Sequence, residues 1–420
     1  MSNPTWRIEI KAVFFEDHYY VNFDPVSLSR PAYMLLYGTS KLHSKWIEAL
    51  RPDDYSFLCR QYLSGVLALE TGRQVNVIPD GDLLLINGRY LPSNKTVRLV
   101  QEIKRGEALV CEDDLVAFRI GDDRPPKLIE TLENLYDIEA NEKLKSYLDI
   151  EKIEAESIGY LWDLIDGNGE MIAGEFAGFK SRSALAGDRT VGVTIIEPLN
   201  AYISHNAVIA PSVVIDATGG PVIIDDNASV EPYTYIQGPV YVGPDCSLTG
   251  GRIRGGCSFG SMCRVGGEVE ESIMLGYCNK YHEGFLGHAY LGEWVNLGAM
   301  TTNSDLKNNY AQIRAAVGSQ VVDTGLIKVG SFIGDHTKTG IGTMLNTGIC
   351  IGFSCNLYGS GLFADRRIRS FSWGTPGNLT EYRLDKAIQT ARTAMSRRGV
   401  EFTAIHENLF SDIQEIDSGN

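Results

Sequence analysis

The chain has 420 residues, a length that predicts at least two domains because a single hydrophobic core seldom grows so large. Hydrophobic residues make up 44% and charged residues 22%, an ordinary balance for a globular protein. The net charge of −15, without any run of Lys or Arg, argues against nucleic acid or an anionic membrane as a partner.

Two further features indicate a reducing, cytoplasmic location. Residues 1–11 lack the apolar segment of a signal peptide, and no apolar run is long enough to span a membrane. The eight Cys residues form neither a C-x-x-C pair nor a zinc-ligand spacing. Cys257 and Cys263 lie six residues apart, and we expect them to fill the core on adjacent repeats.

The N-terminal part, residues 1–194, mixes short apolar runs with helical patterns and predicts an α/β domain. Turn-forming pairs at Asp80-Gly81 and Asn87-Gly88 separate some of these segments. The expected strands cover 12–15, 76–78, 83–86 and 108–110, and the expected helices cover 31–50 and 128–153.

Residues 195–360 carry one inward-facing residue at every sixth position. A period of six fits neither a helix nor a simple strand, and it predicts a left-handed parallel β-helix built from hexapeptide repeats. Three hexapeptides make one coil of about 18 residues, which allows about nine coils. Coils of this type belong mostly to acyltransferases. The inward positions are Ile224, Val230, Ile236, Val242 and Leu248; Cys257, Cys263, Val269 and Leu275; Phe285, Leu291 and Leu297; and Ile327, Ile333, Thr339, Leu345, Ile351 and Leu357.

The period is interrupted at several places. Its phase slips at 219–221, at 249–256 and between Leu275 and Phe285, whereas 304–326 lacks the pattern but preserves the phase. We interpret 304–326 as a loop that leaves one corner of the coil.

Residues 361–420 are predicted to form a helical cap on the coil. One helix is expected over 379–398, with Gly399 as its stop signal, and a second over 405–416. A solenoid needs such a cap because its last coil has no further neighbour.

Two histidines, His282 and His288, lie six residues apart where the coil is interrupted. Equivalent positions on successive repeats would suit a base or a ligand at a coil corner. They would equally suit a pair of solvated turn histidines, so the spacing alone leaves both interpretations open.

The segment 282–305 resembles the acetyltransferase half of the bifunctional GlmU enzymes. In that family Gly-Asp-Ala precedes Asn-Val-Asn-Ile-Gly-Ala-Gly-Thr; here residues 287–289 and 294–301 take those places. The resemblance puts His282 on the catalytic histidine of the family and His288 on a non-catalytic Asp. It implies acetyl-CoA-dependent acetylation of an amino-sugar phosphate, which in the family is glucosamine-1-phosphate.

The resemblance also implies how the reaction would proceed. A neutral imidazole at His282 would accept the proton of the attacking amine. Backbone N–H groups near Gly298 and Ala299 would bind acetyl-CoA and stabilise the oxygen of its thioester. Acetyl-CoA would lie in a groove between neighbouring subunits of a homotrimer.

The sugar phosphate would be held by further residues that match the family pattern. Asn296 and Asn303 fall on positions that contact the sugar, and Arg254, or alternatively Arg252, falls on the arginine that binds the phosphate. Two departures stand out: Phe285 replaces a Tyr, and a second phosphate-binding Lys has no counterpart.

The N-terminal half resembles the divergent nucleotidyltransferase-like domain of GlmU-related proteins. The family pattern is close to Leu-Pro-Leu-Thr-Leu-Thr-Arg-Pro, followed by a Gly and then Lys-Trp. The matching segments here are 23–32, Gly38 and Lys45-Trp46, with further likeness at 160–164, Asn168 and 371–374.

Ordinary sugar nucleotidyltransferases carry a Gly-rich loop near the N-terminus that holds the triphosphate, and no such loop occurs here. Arg30 and Lys45 could bind the nucleotide phosphates instead, and Asp80 or Asp82 could hold Mg²⁺. Arg30 could equally be a structural ion-pair partner, and Asp80-Gly81-Asp82 could be a simple turn.

Three hypotheses follow. The protein is an acetyltransferase acting on an amino-sugar phosphate; or it is a sugar-1-phosphate nucleotidyltransferase, alone or together with the first activity; or it is a non-catalytic trimeric scaffold that binds sugar nucleotides. The missing Gly-rich loop favours the third hypothesis for the N-terminal half, whereas His282 and Asn296 favour the first for the coil.

Overall fold

The structure is a computed structural model and describes residues 11–180 and 191–418. The chain divides into two compact units. Unit 1 comprises Met1–Val21, Arg30–Leu35 and Lys41–Gly159, and unit 2 comprises Asn22–Ser29, Leu36–Ser40 and Tyr160–Asn420. The described part of unit 2 therefore includes residues from 160 onward, although the sequence suggested a boundary at 194.

Unit 1 is built on one six-stranded mixed sheet. The first three strands run parallel, and the fourth pairs antiparallel with both of its neighbours. In sheet order the strands are Asp54–Leu58, Lys11–Phe15, Leu83–Asn87, Asp114–Ile120, Glu107–Cys111 and Asp149–Lys152. The central strand Leu83–Asn87 is buried along its whole length, as expected where helices cover both faces of a sheet.

The helices of unit 1 are shorter than the sequence suggested. The expected helix 128–153 is divided because Asp137 caps a new helix, accepting hydrogen bonds from the N–H groups of Glu139 and Ala140. The expected strand 76–78 is absent, since Asn76 adopts a left-handed conformation with φ of 54°. The helices are Leu42–Leu50, Ser64–Thr71, Asn94–Glu102, Pro126–Leu132 and Ile138–Lys145.

Unit 2 contains a left-handed parallel β-solenoid of about ten turns, which confirms the fold predicted from the six-residue period. One face is a sheet of nine parallel strands, each from a different coil. These strands are Ala201–Ile203, Val222–Ile224, Val240–Val242, Cys257–Phe259, Ile273–Gly276, Tyr290–Glu293, Ser331–Ile333, Ile349–Ile351 and Arg367–Ile368.

The other faces are formed by shorter strands. A long strand, Arg264–Glu270, turns a corner and pairs with Asn279–Lys280 on one face and Phe285–Gly287 on the next. The remaining coil strands are Thr194–Ile196, Val208–Ile209, Val214–Asp216, Ser229–Val230, Tyr235–Gln237, Ser247–Ile253, Thr302–Asn303, Lys338–Thr339, Met344–Leu345, Asn356–Leu357, Leu362–Phe363 and Ser372–Thr375.

In the middle of the solenoid, the inward-facing residues no longer recur at every sixth position. Strand register aligns Val242, Phe259, Met274 and Leu291 on successive coils, and each of these coils is shorter than three full hexapeptides. Met274, and not the predicted Leu275, is therefore the residue of this coil that points into the core. Cys257 and Cys263 are buried in the same core, as expected.

Two further expected positions were wrong. Leu286, and not Phe285, points into the core, because the corner before it shifts the register by one residue. Ile327 is 51% exposed, since it belongs to the segment that leaves the coil. That segment includes an antiparallel hairpin of Arg314–Val317 and Gln320–Asp323.

The C-terminal region closes the solenoid. The parallel ladder continues beyond residue 360 and ends in a hairpin of Ser372–Thr375 and Asn378–Glu381. Helices Leu384–Ser396 and Ala404–Ser418 follow. Helices Leu161–Asp166 and Asn168–Lys180 precede the solenoid, and Phe176 and Phe179 of the longer one pack on its nine-stranded face. No helix in the described ranges is long and apolar enough to cross a membrane.

Candidate functional site

The interrupted corner of the solenoid places His282 in solvent. It lies between the face that holds Asn279–Lys280 and the face that holds Phe285–Gly287. Its carbonyl oxygen accepts a hydrogen bond of 2.6 Å from the ammonium of Lys280, and its ring makes an edge contact with Tyr281. The exposed imidazole can therefore meet a ligand that approaches this corner.

His288 lies one short strand further on and is held by a carboxylate. Its Nδ1 is 2.8 Å from Oδ2 of Asp305, and both side chains are only 14% exposed. Burial opposes ionisation of Asp305, yet the hydrogen bond to His288 and the charge of Lys328 hold its pKa below the usual value. An imidazole fixed through Nδ1 presents Nε2 as a potential base.

Sequence reasoning missed this pair. Asp305 follows His288 in the chain by nearly the length of one coil. The available signal was that an acidic residue one coil after a histidine comes to lie beside it in a solenoid.

Asn303 supports the backbone below His288. Its Oδ1 accepts a hydrogen bond of 2.9 Å from the N–H of Gly287, and its Nδ2 donates one of 2.8 Å to the carbonyl of the same residue. The side chain is buried, so its amide is engaged by the coil. The sugar-binding role suggested for Asn303 stays a prediction.

Arg254 lies on the same face of the solenoid among alternating charges. Its guanidinium is 3.0 Å from Glu268 and 3.9 Å from Glu270, and Arg252 also pairs with Glu268 at 2.9 Å. Lys328 lies 3.4 Å from Glu270. A sugar phosphate that binds Arg254 would have to compete with these carboxylates.

Gly298 allows two coils to approach closely. A Cβ atom there would lie 2.6 Å from the carbonyl carbon of Gly340, so only glycine fits without movement of the backbone. The N–H of Gly298 donates to the carbonyl and the hydroxyl oxygen of Thr339, each at 3.1 Å. The acetyl-CoA contacts predicted for Gly298 and Ala299 would therefore need another donor than the N–H of Gly298.

Asn296 lies on a different face from His288 and Arg254. It stands beside Asn279 and Lys338 in the ladder, and its Oδ1 accepts a hydrogen bond of 2.7 Å from Asn279. Asn296 lines a cavity on that face. The structure thus groups Arg254, His288 and Asn303 on one face and places Asn296 on the next.

In unit 1, both predicted phosphate-binding residues are buried and engaged by protein groups. The carbonyl of Arg30 accepts a hydrogen bond of 3.1 Å from Arg60, which forms a buried ion pair with Glu16 at 2.9 Å. Lys45 is a buried residue of the helix Leu42–Leu50. Phosphate binding by Arg30 and Lys45 stays a prediction, and it would require these side chains to change partners.

The predicted magnesium ligands differ in their surroundings. Asp80 is exposed, and its carbonyl accepts a hydrogen bond of 3.1 Å from Lys11. Both oxygens of Asp82 accept hydrogen bonds from Arg119, at 3.1 and 2.7 Å, and Arg105 adds a third at 3.1 Å. Burial raises the pKa of Asp82, but these arginines outweigh it and hold the pKa below its usual value. A magnesium ion would have to displace two guanidinium groups, and the metal role stays a prediction.

In the described part of the chain, no group of three or more His, Cys, Asp or Glu residues is arranged to hold a metal ion. The cysteines in that part are free thiols.

Comparison with known proteins assigns a class to the N-terminal part. Residues 12–184 match the model of a family described as sugar nucleotidyl transferase. With the mixed sheet of unit 1, this match defines a nucleotidyltransferase-like α/β domain that is followed by a β-solenoid.

The curated relatives carry more specific names than this family does. A bifunctional sugar-1-phosphate nucleotidylyltransferase/acetyltransferase of Sulfurisphaera tokodaii is 30% identical over 147 residues, covering 33% of this chain and 35% of that protein. The bifunctional protein GlmU of Picosynechococcus is 32% identical over 155 residues, covering 36% and 26%. That of Synechococcus elongatus is 28% identical over 182 residues, covering 38% and 36%.

These matches confirm the resemblance to the GlmU enzymes that the motifs indicated. The chain covers only about a quarter to a third of the length of these relatives. A solved structure from Bacillus anthracis, named for a glucose-1-phosphate thymidylyltransferase, shares 10% identity with a TM-score of 0.28 and covers 39% of this chain and 95% of that one. At that score it supports no conclusion.

Proposed function

We propose that the solenoid transfers the acetyl group of acetyl-CoA to the amine of an amino-sugar phosphate. The observation that carries this proposal is the imidazole of His288, which Asp305 holds at 2.8 Å on the face that also contains Arg254. The relatives named as acetyltransferases support the same reaction class.

In this reaction the amine nitrogen attacks the thioester carbonyl, a C–N bond forms and the C–S bond breaks. The proton of the amine passes to an imidazole nitrogen, and the thiolate of CoA leaves and takes up a proton. Asp305 stabilises the imidazolium that forms on His288, as a carboxylate does in other histidine-based sites. Arg254 supplies the cation for the phosphate.

Two histidines compete for the role of base. The resemblance assigns the role to His282, whereas the geometry favours His288 because a carboxylate fixes its ring. The test measures kcat/KM for glucosamine-1-phosphate and acetyl-CoA in the His282→Ala, His288→Ala and Asp305→Asn variants. If His288 is the base, its variant loses about 100-fold or more and His282→Ala loses little.

The opposite ranking would assign the base to His282, as the family resemblance implies. His205→Ala serves as a matched control, because His205 is exposed in the first coil, far along the chain from the corner. If both His282→Ala and His288→Ala retain the kcat/KM of the wild type, catalysis by an imidazole is contradicted.

A second activity, sugar-1-phosphate nucleotidyl transfer by unit 1, is favoured by the family match over 12–184. The sugar phosphate would attack the α-phosphorus of a nucleoside triphosphate and release pyrophosphate, with Mg²⁺ neutralising charge on the phosphates. Pyrophosphate release is measured with a panel of nucleoside triphosphates, sugar-1-phosphates and Mg²⁺. No release from any combination would leave unit 1 as a binding module.

We further propose a homotrimer in the cytoplasm, with acetyl-CoA bound between neighbouring solenoids. Exposed apolar residues support association of copies. Met344 and Leu362, 40% and 46% exposed, are paired on the three-stranded sheet of the solenoid, and Ile341, 80% exposed, lies in the turn before Met344. The free thiols fit a reducing compartment.

A further inference from the structure

A cavity of about 570 Å³ lies on the solenoid face next to that of His288. One wall is formed by the coil residues Tyr277, Trp294, Asn296 and Lys338, and the other by the helix Leu384–Ser396 and the two arginines that follow it. This volume is within the usual range for small-molecule sites, about 300 to 1,000 Å³.

The lining of this cavity is strongly basic. Arg264, Lys338, Arg397 and Arg398 all contribute to it, and none of the lining residues in the described part of the chain is acidic. Within residues 11–180 and 191–418, no carboxylate lies within ion-pair distance of these four side chains. A chain with a net charge of −15 therefore concentrates cations without carboxylate partners in one place.

The positive charges in this cavity repel one another, which disfavours the charged form of each side chain. Burial lowers the pKa of Arg398, and the charges of Arg264 and Arg397 lower it further. By contrast, Arg252 and Arg254 on the neighbouring face are paired with glutamates. A bound anion would supply the missing negative charge of the cavity.

The coil wall also carries two stacked aromatic side chains, which lie at the corners of successive coils. Tyr277 and Trp294 have φ angles of 54° and 62°, a region that bulky residues seldom adopt. Their rings stack at a centroid distance of 4.1 Å with an interplanar angle of 12°. The same left-handed conformation recurs at the corners of other coils, as at Met262, His336 and Ser354, so it belongs to the turn of the solenoid. The flat surface that faces the cavity comes from the stacked rings.

We propose that this cavity binds the diphosphate of a nucleoside diphosphate unit, with its base against the wall formed by Tyr277 and Trp294. The guanidinium groups of Arg264, Arg397 and Arg398 suit bidentate bonding to phosphate oxygens. Two sources carry this unit, a free nucleotide and coenzyme A. The proposal does not depend on acetyl transfer, because binding is measured without turnover.

The test is isothermal titration calorimetry of the full chain with ADP at low salt. We expect binding that weakens as salt is raised, because the contacts are ionic. The Arg264→Gln/Arg398→Gln double variant should bind ADP at least tenfold more weakly. Arg383→Gln, which removes a charge before the same helix but outside the cavity, should change the affinity less than twofold.

Further ligands distinguish the sources. Coenzyme A that binds more tightly than ADP and competes with it would identify coenzyme A as the source, whereas ADP that binds as tightly or more tightly would identify a free nucleotide. Absence of ADP and coenzyme A binding to the wild type would overturn the proposal, as would a double variant that binds like Arg383→Gln. Pyrophosphate binding as tight as ADP binding would overturn the role of the aromatic wall.

The control for folding is the thermal melting of each variant, which should match the wild type closely because Arg264 is exposed and Arg398 is only partly buried. A His288→Ala protein should bind ADP normally even if acetylation is lost. A result that refutes ADP binding in the cavity can therefore be distinguished from a result that refutes acetyl transfer.

Discussion

Lys280 shows how a single residue can depart from the pattern of the solenoid. It occupies a core-facing position, paired with Val265, and is 2% exposed. Its ammonium donates hydrogen bonds of 2.9 Å to the carbonyl of Gly266 and 2.6 Å to that of His282. Burial lowers the pKa of Lys280 to about 8, which nearby Glu283 partly opposes. The lysine thus ties the corner that carries His282 to the coil below.

This buried lysine gives stability a particular dependence on pH. The pKa of a lysine is about 10.4 in an unfolded chain, so between pH 8 and that value the unfolded state binds more protons than the folded state. The wild type should therefore gain stability as pH rises from about 8 to about 10.4, relative to Lys280→Met. Urea unfolding at pH 7.5 and pH 10 measures the difference.

The gain is expected to be about 3 kcal/mol. Lys386→Met is the control, because Lys386 is exposed on a surface helix and should show no such difference. Parallel pH profiles of wild type and Lys280→Met would contradict a lowered pKa.

A second prediction for a single residue concerns the buried side chain of Asn303. Asn303→Ala would leave the N–H and carbonyl of Gly287 without their partner, so we expect a loss of about 2 to 3 kcal/mol in the free energy of unfolding. Neighbouring Ser304 is exposed, and Ser304→Ala should change stability by less than about 0.5 kcal/mol. Equal stabilities of the two variants in chemical denaturation would argue against this role of the amide.

At the scale of elements, the last helix covers aromatic residues of the final coils. Phe410 is 1% exposed and contacts the rings of Phe353, Phe371 and His336 at centroid distances of 4.7, 6.1 and 5.1 Å. The helix Ala404–Ser418 therefore provides the cap that a solenoid needs. The predicted cap and its two helices are present, although the coil continues further than residue 360.

Phe410→Ala should cost about 3 to 5 kcal/mol, because it removes a large side chain from a packed cluster. Ile416→Ala on the same helix is the matched control, since Ile416 is 37% exposed and its truncation should cost much less. Thermal unfolding of both variants checks the prediction. If the helix contributes little to stability, Phe410→Ala and Ile416→Ala would instead have similar melting temperatures.

At the scale of the whole molecule, we expect three copies to associate through the exposed residues Ile341, Met344 and Leu362. Light scattering after size-exclusion chromatography should give about 139 kDa, three times the chain mass of 46.2 kDa. Charges introduced by Ile341→Asp and Met344→Lys together should reduce the mass to that of one chain, because desolvating charges opposes association.

Leu69→Lys is the control for this experiment, as Leu69 is 48% exposed in unit 1 and outside the solenoid. A wild-type chain with a mass of 46.2 kDa would exclude the trimer, and with it the groove between subunits proposed for acetyl-CoA.

The solenoid could be predicted from sequence because its period is local. Each coil repeats the same demand for an inward residue, so Val242, Leu291 and Ile351 could be assigned without knowledge of any distant contact. The assignment failed where a coil is shorter than three full hexapeptides, as at Met274, because register between coils is set by pairing across the sheet.

What the sequence determined by itself is the class of fold and the family resemblance, since both depend on residues close together in the chain. Only the tertiary structure decided that His288 is held by Asp305, that Asn303 is engaged by Gly287, and that Asp82 is engaged by arginines. It alone brought Arg264 beside Arg398, which is distant from it in the chain, with no carboxylate of the described residues paired to either of them. The physical reason is that charge pairing and burial depend on distances in space, which a repeat in the sequence does not encode.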